Sequence, residues 1–383
     1  MITLNNIFRQ YGPAYRAQYG ERLLPSHRAA MTAIEGCRTE ALGGHVYTCP
    51  TCATTRYSYH SCKNRHCPTC QQNAAQTWLE RQQDLLLPVP YFLVTFTLPP
   101  ALRDLARSHQ RQLYTLLFRA SAAALQQLAR DPRFLGGQIG MVGVLQTWTR
   151  DLRFHPHVHY LVPTLGLAAD GTVCRPRNPA FLVPSKALAI LFRAKLRAAL
   201  RQTDLYAQVP PETWCQAWVV DCRPAGSGAA ALKYLAPYIF RVALSNNRIV
   251  GVQNDRVTFR YRDGKTKQLR TCTLPALTFI GRFLQHVLPK GFVKVRSYGL
   301  FSRRQRLLLA QLRQRLLVAT HHTDVQPAPP PSEPAPATPV AVCCPVCGQP
   351  MQAAVLRPVR SRGPPAALHG GQAGDTSVRA QSR

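Results

Sequence analysis

Acidic residues are scarce in this chain: 17 Asp and Glu stand against 48 Lys and Arg in 383 residues, a formal charge of +31. A field of one sign repels itself in the compact state and attracts polyanions, which excludes basic partners and points to nucleic acid. A long apolar run is also missing. The longest stretch, Leu85–Leu98, is short and broken by Pro88 and Pro90, which excludes a transmembrane helix. The opening residues (MITLNNIFRQYGPAYRAQYG) carry no apolar core and no cleavage signature of an export signal, so a cytoplasmic, DNA-associated location is expected. In a reducing compartment the 13 cysteines read as metal ligands before disulfides. No internal repeat of solenoid length is visible.

What is present suffices for a folded protein, since hydrophobic residues make up 46%. The length allows two or three domains. Residues 1–87 read as a helical start followed by a cysteine-rich, zinc-binding, DNA-contacting head. Residues 88–320 read as the main domain, and 321–383, Pro-rich and basic, as a mostly disordered tail. Within the main domain, Tyr91–Leu98, Ile139–Trp148, His157–Val162 and Trp218–Cys222 are expected as strands. Arg256–Arg262 and Lys267–Leu274 are expected as a hairpin. Leucines at helical spacing over Ala101–Arg130 predict one long helix or two, and Ser185–Arg201, Ala229–Ala243 and Ser302–Val318 predict further helices. The expected class is α+β.

Two C-x2-C knuckles, Cys49/Cys52 and Cys67/Cys70, lie 14 residues apart. Each supplies two sulfurs from one tight turn, so together they suit one closed, tetrahedral, structural Zn²⁺. Cys37, Cys62 and His66 are left to complete a second site or an alternative set; the reading favours one ion. Cys344-x2-Cys347 is a lone knuckle, half a tetrahedron, and receives no role. Arg56, Lys63 and Arg65, beside Tyr57 and Tyr59, suit DNA contact; the plainer alternative is solvated surface charge. The exposed face of the hairpin adds Arg260 and Arg262.

His155-Pro-His157-Val-His159 places three imidazoles on one strand face, where two or three can hold one divalent ion. A histidine-lined strand edge is the ordinary alternative. Tyr234-x3-Tyr238 places two phenols one helical turn apart, although Pro237 between them should kink the helix, and buried core tyrosines share that spacing. Neither motif is specific alone.

Their combination, in order with CRTEALGGHVYTCPTC, YHSCKNRHCPTCQ, PVPYFLVTFTLP, HPHVHYLV, KYLAPYIFRVALSN and HVLPKGFVKVRSYG, resembles the two-tyrosine HUH rolling-circle transposases of bacterial insertion sequences, the IS91-type family, from about residue 20 to 318. The resemblance implies a small zinc-binding head followed by an HUH-nuclease-like domain with a central antiparallel sheet flanked by helices. It implies that His157 and His159 bind Mg²⁺ or Mn²⁺, which polarises a scissile phosphate of single-stranded DNA. Tyr234 or Tyr238 then attacks, giving a 5′-phosphotyrosine and a free 3′-hydroxyl. Tyr234, before the kink, is slightly preferred. A third metal ligand is usual: Gln146, on the strand preceding the histidines, is the first candidate and His155 the second. Lys233 and Arg241 flank the tyrosines and would steady phosphates. Two other readings stand beside this one: a plasmid relaxase or replication initiator with the same chemistry, and a non-catalytic zinc protein that regulates DNA.

Overall fold

The computed structural model describes residues 2–70, 80, 82–83, 85–230, 232–233, 243–264, 266–320 and 342–359. Tyr234, Tyr238 and Arg241 lie outside the described residues, as does the expected disorder at 321–341 and 360–383. Helices α1 (Leu4–Tyr19) and α2 (Pro25–Gly36) come first, then strands β1 (Gly44–Thr48) and β2 (Thr55–Tyr59). Next are β3 (Pro90–Thr97), α3 (Arg103–Ser108), α4 (Gln110–Ala129), β4 (Gln138–Trp148) and β5 (Phe154–Pro163). The short β6 (Gly166–Leu167) and β7 (Val173–Cys174) precede α5 (Ser185–Arg201) and β8 (Val220–Ser227). Strands β9 (Ile249–Gln253), β10 (Arg256–Arg262) and β11 (Leu269–Pro275) lead into α6 (Ala276–Leu284). Last come β12 (Val295–Gly299), α7 (Arg306–Thr320) and β13 (Gln352–Leu356).

The chain divides into two compact units, Met1–Cys37 with Ser61–Pro339, and Arg38–His60 with Val340–Arg383. The expected head of residues 1–87 is thus shared between the two units. Helices α1 and α2 belong to the large unit because their apolar stripe, Leu4, Ile7, Phe8 and Tyr15 with Met31 and Ile34, packs on Val257, Phe259, Phe279 and Phe283 of the β9–β11 sheet and α6. Each such aromatic, fully buried, contributes about 1.5–3 kcal/mol. The tail expectation also needs correction at 342–359. There β13 pairs with β1 over five residues, from Gly44↔Leu356 to Thr48↔Gln352, and makes a three-stranded sheet with β2 on the other edge.

At the centre of the large unit lies an antiparallel sheet of order β7-β6-β4-β5-β3-β8, with β12 also on β4. β5 sits between β4 and β3. Alternation sends Phe92, Val94, Phe96, Met141, Leu145, Val158 and Tyr160 to one face, against α4 and α5. Tyr91, Leu93, Val142, Val144 and Leu161 point to the other face, against Leu232 and α7. A sheet covered on both sides explains why β4 and β5 read as nearly continuous apolar runs. The expected α+β architecture, a cysteine-rich region and a central antiparallel sheet flanked by helices, is what the structure shows.

Candidate functional site

His157 and His159 occupy the middle strand on the α7 side of the sheet, since they share parity with Leu161. Residues directly opposite across an antiparallel pair share a face, which fixes their neighbours. Gln146 of β4 stands opposite His157, while Thr97 and Thr95 of β3 stand opposite His157 and His159. The register between β4 and β5 shifts just past Gln146, between Gln146 and Trp148. Such a bulge re-aims the side chains around it.

The three side chains are buried, each 7% exposed. Nδ1 of His157 lies 2.6 Å from the carbonyl oxygen of His155. A carbonyl only accepts, so Nδ1 carries the proton and Nε2 keeps its lone pair. Nδ1 of His159 is 2.9 Å from Thr95 Oγ1, a hydroxyl that can donate or accept, so this contact holds the ring without fixing its tautomer. Gln146 donates from Nε2 to the Trp148 carbonyl at 2.9 Å, whereas its Oε1 is buried with no hydrogen-bond partner. A buried orphan carbonyl oxygen costs about 1–3 kcal/mol. Two imidazole nitrogens and an amide oxygen on one face form a neutral donor set that fits a divalent cation.

Burial keeps these imidazoles neutral. It pushes His157 well below the ordinary histidine range, with His159 adding to the effect. His159 falls to about 4 through burial first and the Arg223 charge second. His155 is also lowered to about 4, by burial and then by Arg103 and Arg153. Its Nδ1 is engaged with Arg103 at 2.9 Å. The three histidines do not gather as a metal-ligating group of closely spaced atoms among the described residues. Against its expected role as an alternative third ligand, His155 is turned to a guanidinium, and a cation at that nitrogen opposes a metal ion.

The helix expected at Ala229–Ala243 is described only at its start. Leu232 is buried among Leu93, Val144 and Leu161, on the histidine face, and Lys233 beyond it is exposed. Thr95, Arg103 and Arg223 were not anticipated from sequence. The signal for Thr95 is its place in VTFTL, where Thr95 and Thr97 alternate with apolar residues on a strand beside the histidines.

The cysteines combine differently from the expected Cys49/Cys52/Cys67/Cys70 set. One quartet is Cys37, Cys62, Cys67 and Cys70, and the other is Cys49, Cys52, Cys344 and Cys347; within each, the four sulfurs lie within 4.8 Å of one another. The knuckles separate because residues 38–60 leave the large unit and return to it at Ser61. In the first quartet Cys62 and Cys70 sulfurs are 3.7 Å apart. Tetrahedral zinc at ~2.3 Å from each sulfur sets them ~3.8 Å apart, so the quartet fits. Cys67 is lowered to about 5, chiefly by the Cys62 thiol and then by the Thr69 amide and Asn5, which donates to its sulfur at 3.7 Å.

His66 is not in either quartet. Its Nε2 accepts from the Leu288 amide at 3.3 Å and from Arg65 Nε at 3.3 Å. Arg65, exposed on one side, donates through its guanidinium to the carbonyls of Phe292 at 2.6 Å and Pro289 at 2.9 Å, which makes it a tie within the large unit. Arg56, Lys63, Arg260 and Arg262 are exposed. Arg56 lies on β2, where the Tyr57 and Tyr59 rings stack with centroids 6.0 Å apart. Arg260 and Arg262 join a basic patch, for Arg248 and Arg150 donate to their carbonyls. An open groove of about 840 Å³ is lined by Arg107, Arg111, Arg119 and Lys290, with no acidic residue in its lining. Its cations are spread over separate helical and loop segments, which is why sequence inspection missed it. No described helix is long and apolar enough to cross a membrane.

Comparison with known proteins adds an independent line. Residues 7–98 match the family described as "Transposase zinc-binding domain", and residues 140–307 the family described as "Putative transposase". The chain is 41% identical over 332 residues to the "Putative transposase y4qJ" of Sinorhizobium fredii, covering 81% of this chain and 83% of that protein. It is 28% identical over 291 residues to the "Transposase for insertion sequence element IS801" of Pseudomonas savastanoi pv. phaseolicola, covering 72% and 70%. No solved structure matches.

Proposed function

The chain belongs to the IS91-type transposases with an N-terminal zinc-binding domain, and on that premise we propose that it cleaves and rejoins single-stranded transposon ends through a phosphotyrosine. The observation that carries this reading is the orphaned Gln146 Oε1 opposite His157, whose imidazole is held with Nε2 unprotonated, with the buried His159 on the same face. His157, His159 and Gln146 would hold Mg²⁺ or Mn²⁺, which when bound polarises the scissile phosphate and offsets the charge that develops on it.

The chain's own residues supply the rest. Tyr234 or Tyr238 loses its phenolic proton as its oxygen bonds to phosphorus; the P–O3′ bond breaks, and O3′ takes up a proton as the free hydroxyl. The bond energy is kept in the phosphotyrosine, so a later 3′-hydroxyl reverses the step without ATP. Burial of Leu232, two residues before Tyr234, on the histidine face supports this reading. Lys233 and Arg241 would bind phosphates next to the nucleophile, and Arg223 would add positive charge beside His159. Arg260, Arg262 and the groove cations Arg107, Arg111 and Arg119 would carry flanking strand. Arg56 with Tyr57 and Tyr59 would take further phosphates and bases, since stacked aromatics bind single strands irrespective of sequence, and Lys63 would separately bind phosphate.

Incubation with labelled single-stranded transposon ends and Mn²⁺ tests the reading. It predicts a protein–DNA species that survives boiling in detergent, fails to form with EDTA and is lost in the Tyr234→Phe/Tyr238→Phe double variant. Absence of any such species would leave a DNA-binding zinc protein without this chemistry.

A further inference from the structure

We propose that Cys49, Cys52, Cys344 and Cys347 bind a second zinc ion, separate from that of the first quartet, and that it closes residues 38–60 and 342–359 into one ribbon. The matched zinc-binding domain ends at residue 98, so half of this site lies beyond it. The ligands come from opposite ends of the chain: Cys52 and Cys344 are 292 residues apart, with sulfurs at 3.5 Å, and Cys49 and Cys347 sulfurs are at 3.4 Å. These distances far exceed the ~2.05 Å of a disulfide and approach the sulfur spacing of a tetrahedral thiolate site.

The two knuckles are built alike, and this is the observation that carries the inference. Cys49-Pro-Thr-Cys52-Ala53 and Cys344-Pro-Val-Cys347-Gly348 share one backbone course. The amide after each second cysteine donates to the first cysteine's carbonyl, Ala53 to Cys49 at 3.0 Å and Gly348 to Cys344 at 2.9 Å. The amides of Cys49 and Cys344 are in turn bonded to the carbonyls of Thr54 at 2.9 Å and Gln349 at 2.8 Å. The residue after each second cysteine is left-handed, Ala53 at φ 56° and Gly348 at φ 75°. For alanine that conformation costs about 1–2 kcal/mol and persists only where its surroundings impose it. Within each turn, amides point at the first sulfur, those of Thr51 and Cys52 at Cys49 and those of Val346 and Cys347 at Cys344. Two matched turns, facing each other, present four sulfurs to one point.

Binding turns four thiols into four thiolates and releases their protons, and no other reactant is needed. The ion then holds the edge strand β13 onto β1, a pairing that otherwise must offset the entropy of closing a very long loop. Residues 342–359 thereby become a structural part of a zinc ribbon that also carries Arg56, Tyr57 and Tyr59.

The test is a metal count on the full chain. Elemental analysis should give two zinc ions per chain, and X-ray absorption an all-sulfur shell. The Cys344→Ser/Cys347→Ser variant should hold one zinc. Thiol alkylation of the wild-type chain supplies a readout that needs no variant: exposed Cys343 should label at once, and Cys344 and Cys347 only after chelation. One zinc per wild-type chain, two in the variant, or immediate labelling of Cys344 and Cys347 would each overturn the proposal. None of these readouts depends on DNA cleavage, so the outcome stands apart from that of the transposition chemistry.

Discussion

Replacing Gln146 with leucine separates the needs of the fold from those of the site. In the metal-free protein the substitution removes a buried oxygen without a partner, worth about 1–3 kcal/mol. It also gives up the hydrogen bond to the Trp148 carbonyl, worth about 0.5–1.5 kcal/mol. The difference runs from about −0.5 to about +2.5 kcal/mol, so metal-free Gln146→Leu should be about as stable as the wild type or up to ~2.5 kcal/mol more stable. Metal reverses the order. At Mn²⁺ a hundredfold above its Kd the wild type gains about 2.7 kcal/mol by linkage. Loss of a ligand should weaken the site at least ~10- to 100-fold, which leaves the variant about 1.4 to 0.4 kcal/mol. Urea denaturation with and without Mn²⁺ measures both quantities, and the same protein should form little covalent DNA adduct. A metal-free variant destabilised by more than ~2 kcal/mol, or an undiminished Mn²⁺ gain, would refute the reasoning.

Further expectations follow from the same geometry. Arg65→Ala should destabilise by about 2–3 kcal/mol in urea denaturation, because two backbone carbonyls lose charge-assisted donors. Arg260→Ala/Arg262→Ala should leave stability within about 0.5 kcal/mol yet reduce the salt slope of single-strand binding by ~1.4. An unchanged slope would remove both residues from the interface. His286, stacked on Phe154, is lowered by burial to about 4. Between that value and its unfolded pKa of ~6.5 the unfolded chain binds more protons. Its contribution is therefore complete above pH ~6.5 and is lost as pH falls toward 4, at up to ~1.4 kcal/mol per unit. His286→Gln should flatten the stability profile between pH 6 and 4.5, and an unchanged profile would count against the assignment.

The large elements were legible because their signals are local. YFLVTFTL and HVHYLV are β-branched and aromatic runs, and the leucines before Arg130 keep helical spacing; a break at His109 divides that segment into α3 and α4. The adjacency of Gln146 and His157 was readable too, since a short connection between two strands dictates antiparallel pairing. The division of the cysteines was not. Cys49/Cys52, Cys67/Cys70 and Cys344/Cys347 all read C-P-x-C, so the spacing cannot say which knuckles meet, and proximity in sequence favoured the wrong pair. His66 misled for a related reason. Its partner, the Leu288 amide, lies more than 220 residues away, and a backbone amide leaves no trace in composition.

The most direct test of the central claim is identification of the peptide left on DNA after reaction with Mn²⁺. Trypsin cuts after Lys233 and Arg241, so both tyrosines fall in the single octapeptide Tyr234–Arg241. Mass spectrometry should find that peptide carrying a 5′-phosphoryl nucleotide remnant on one phenol, and fragmentation should name which. Nicked strands recovered with no peptide attached, or a remnant on any other residue, would contradict the account.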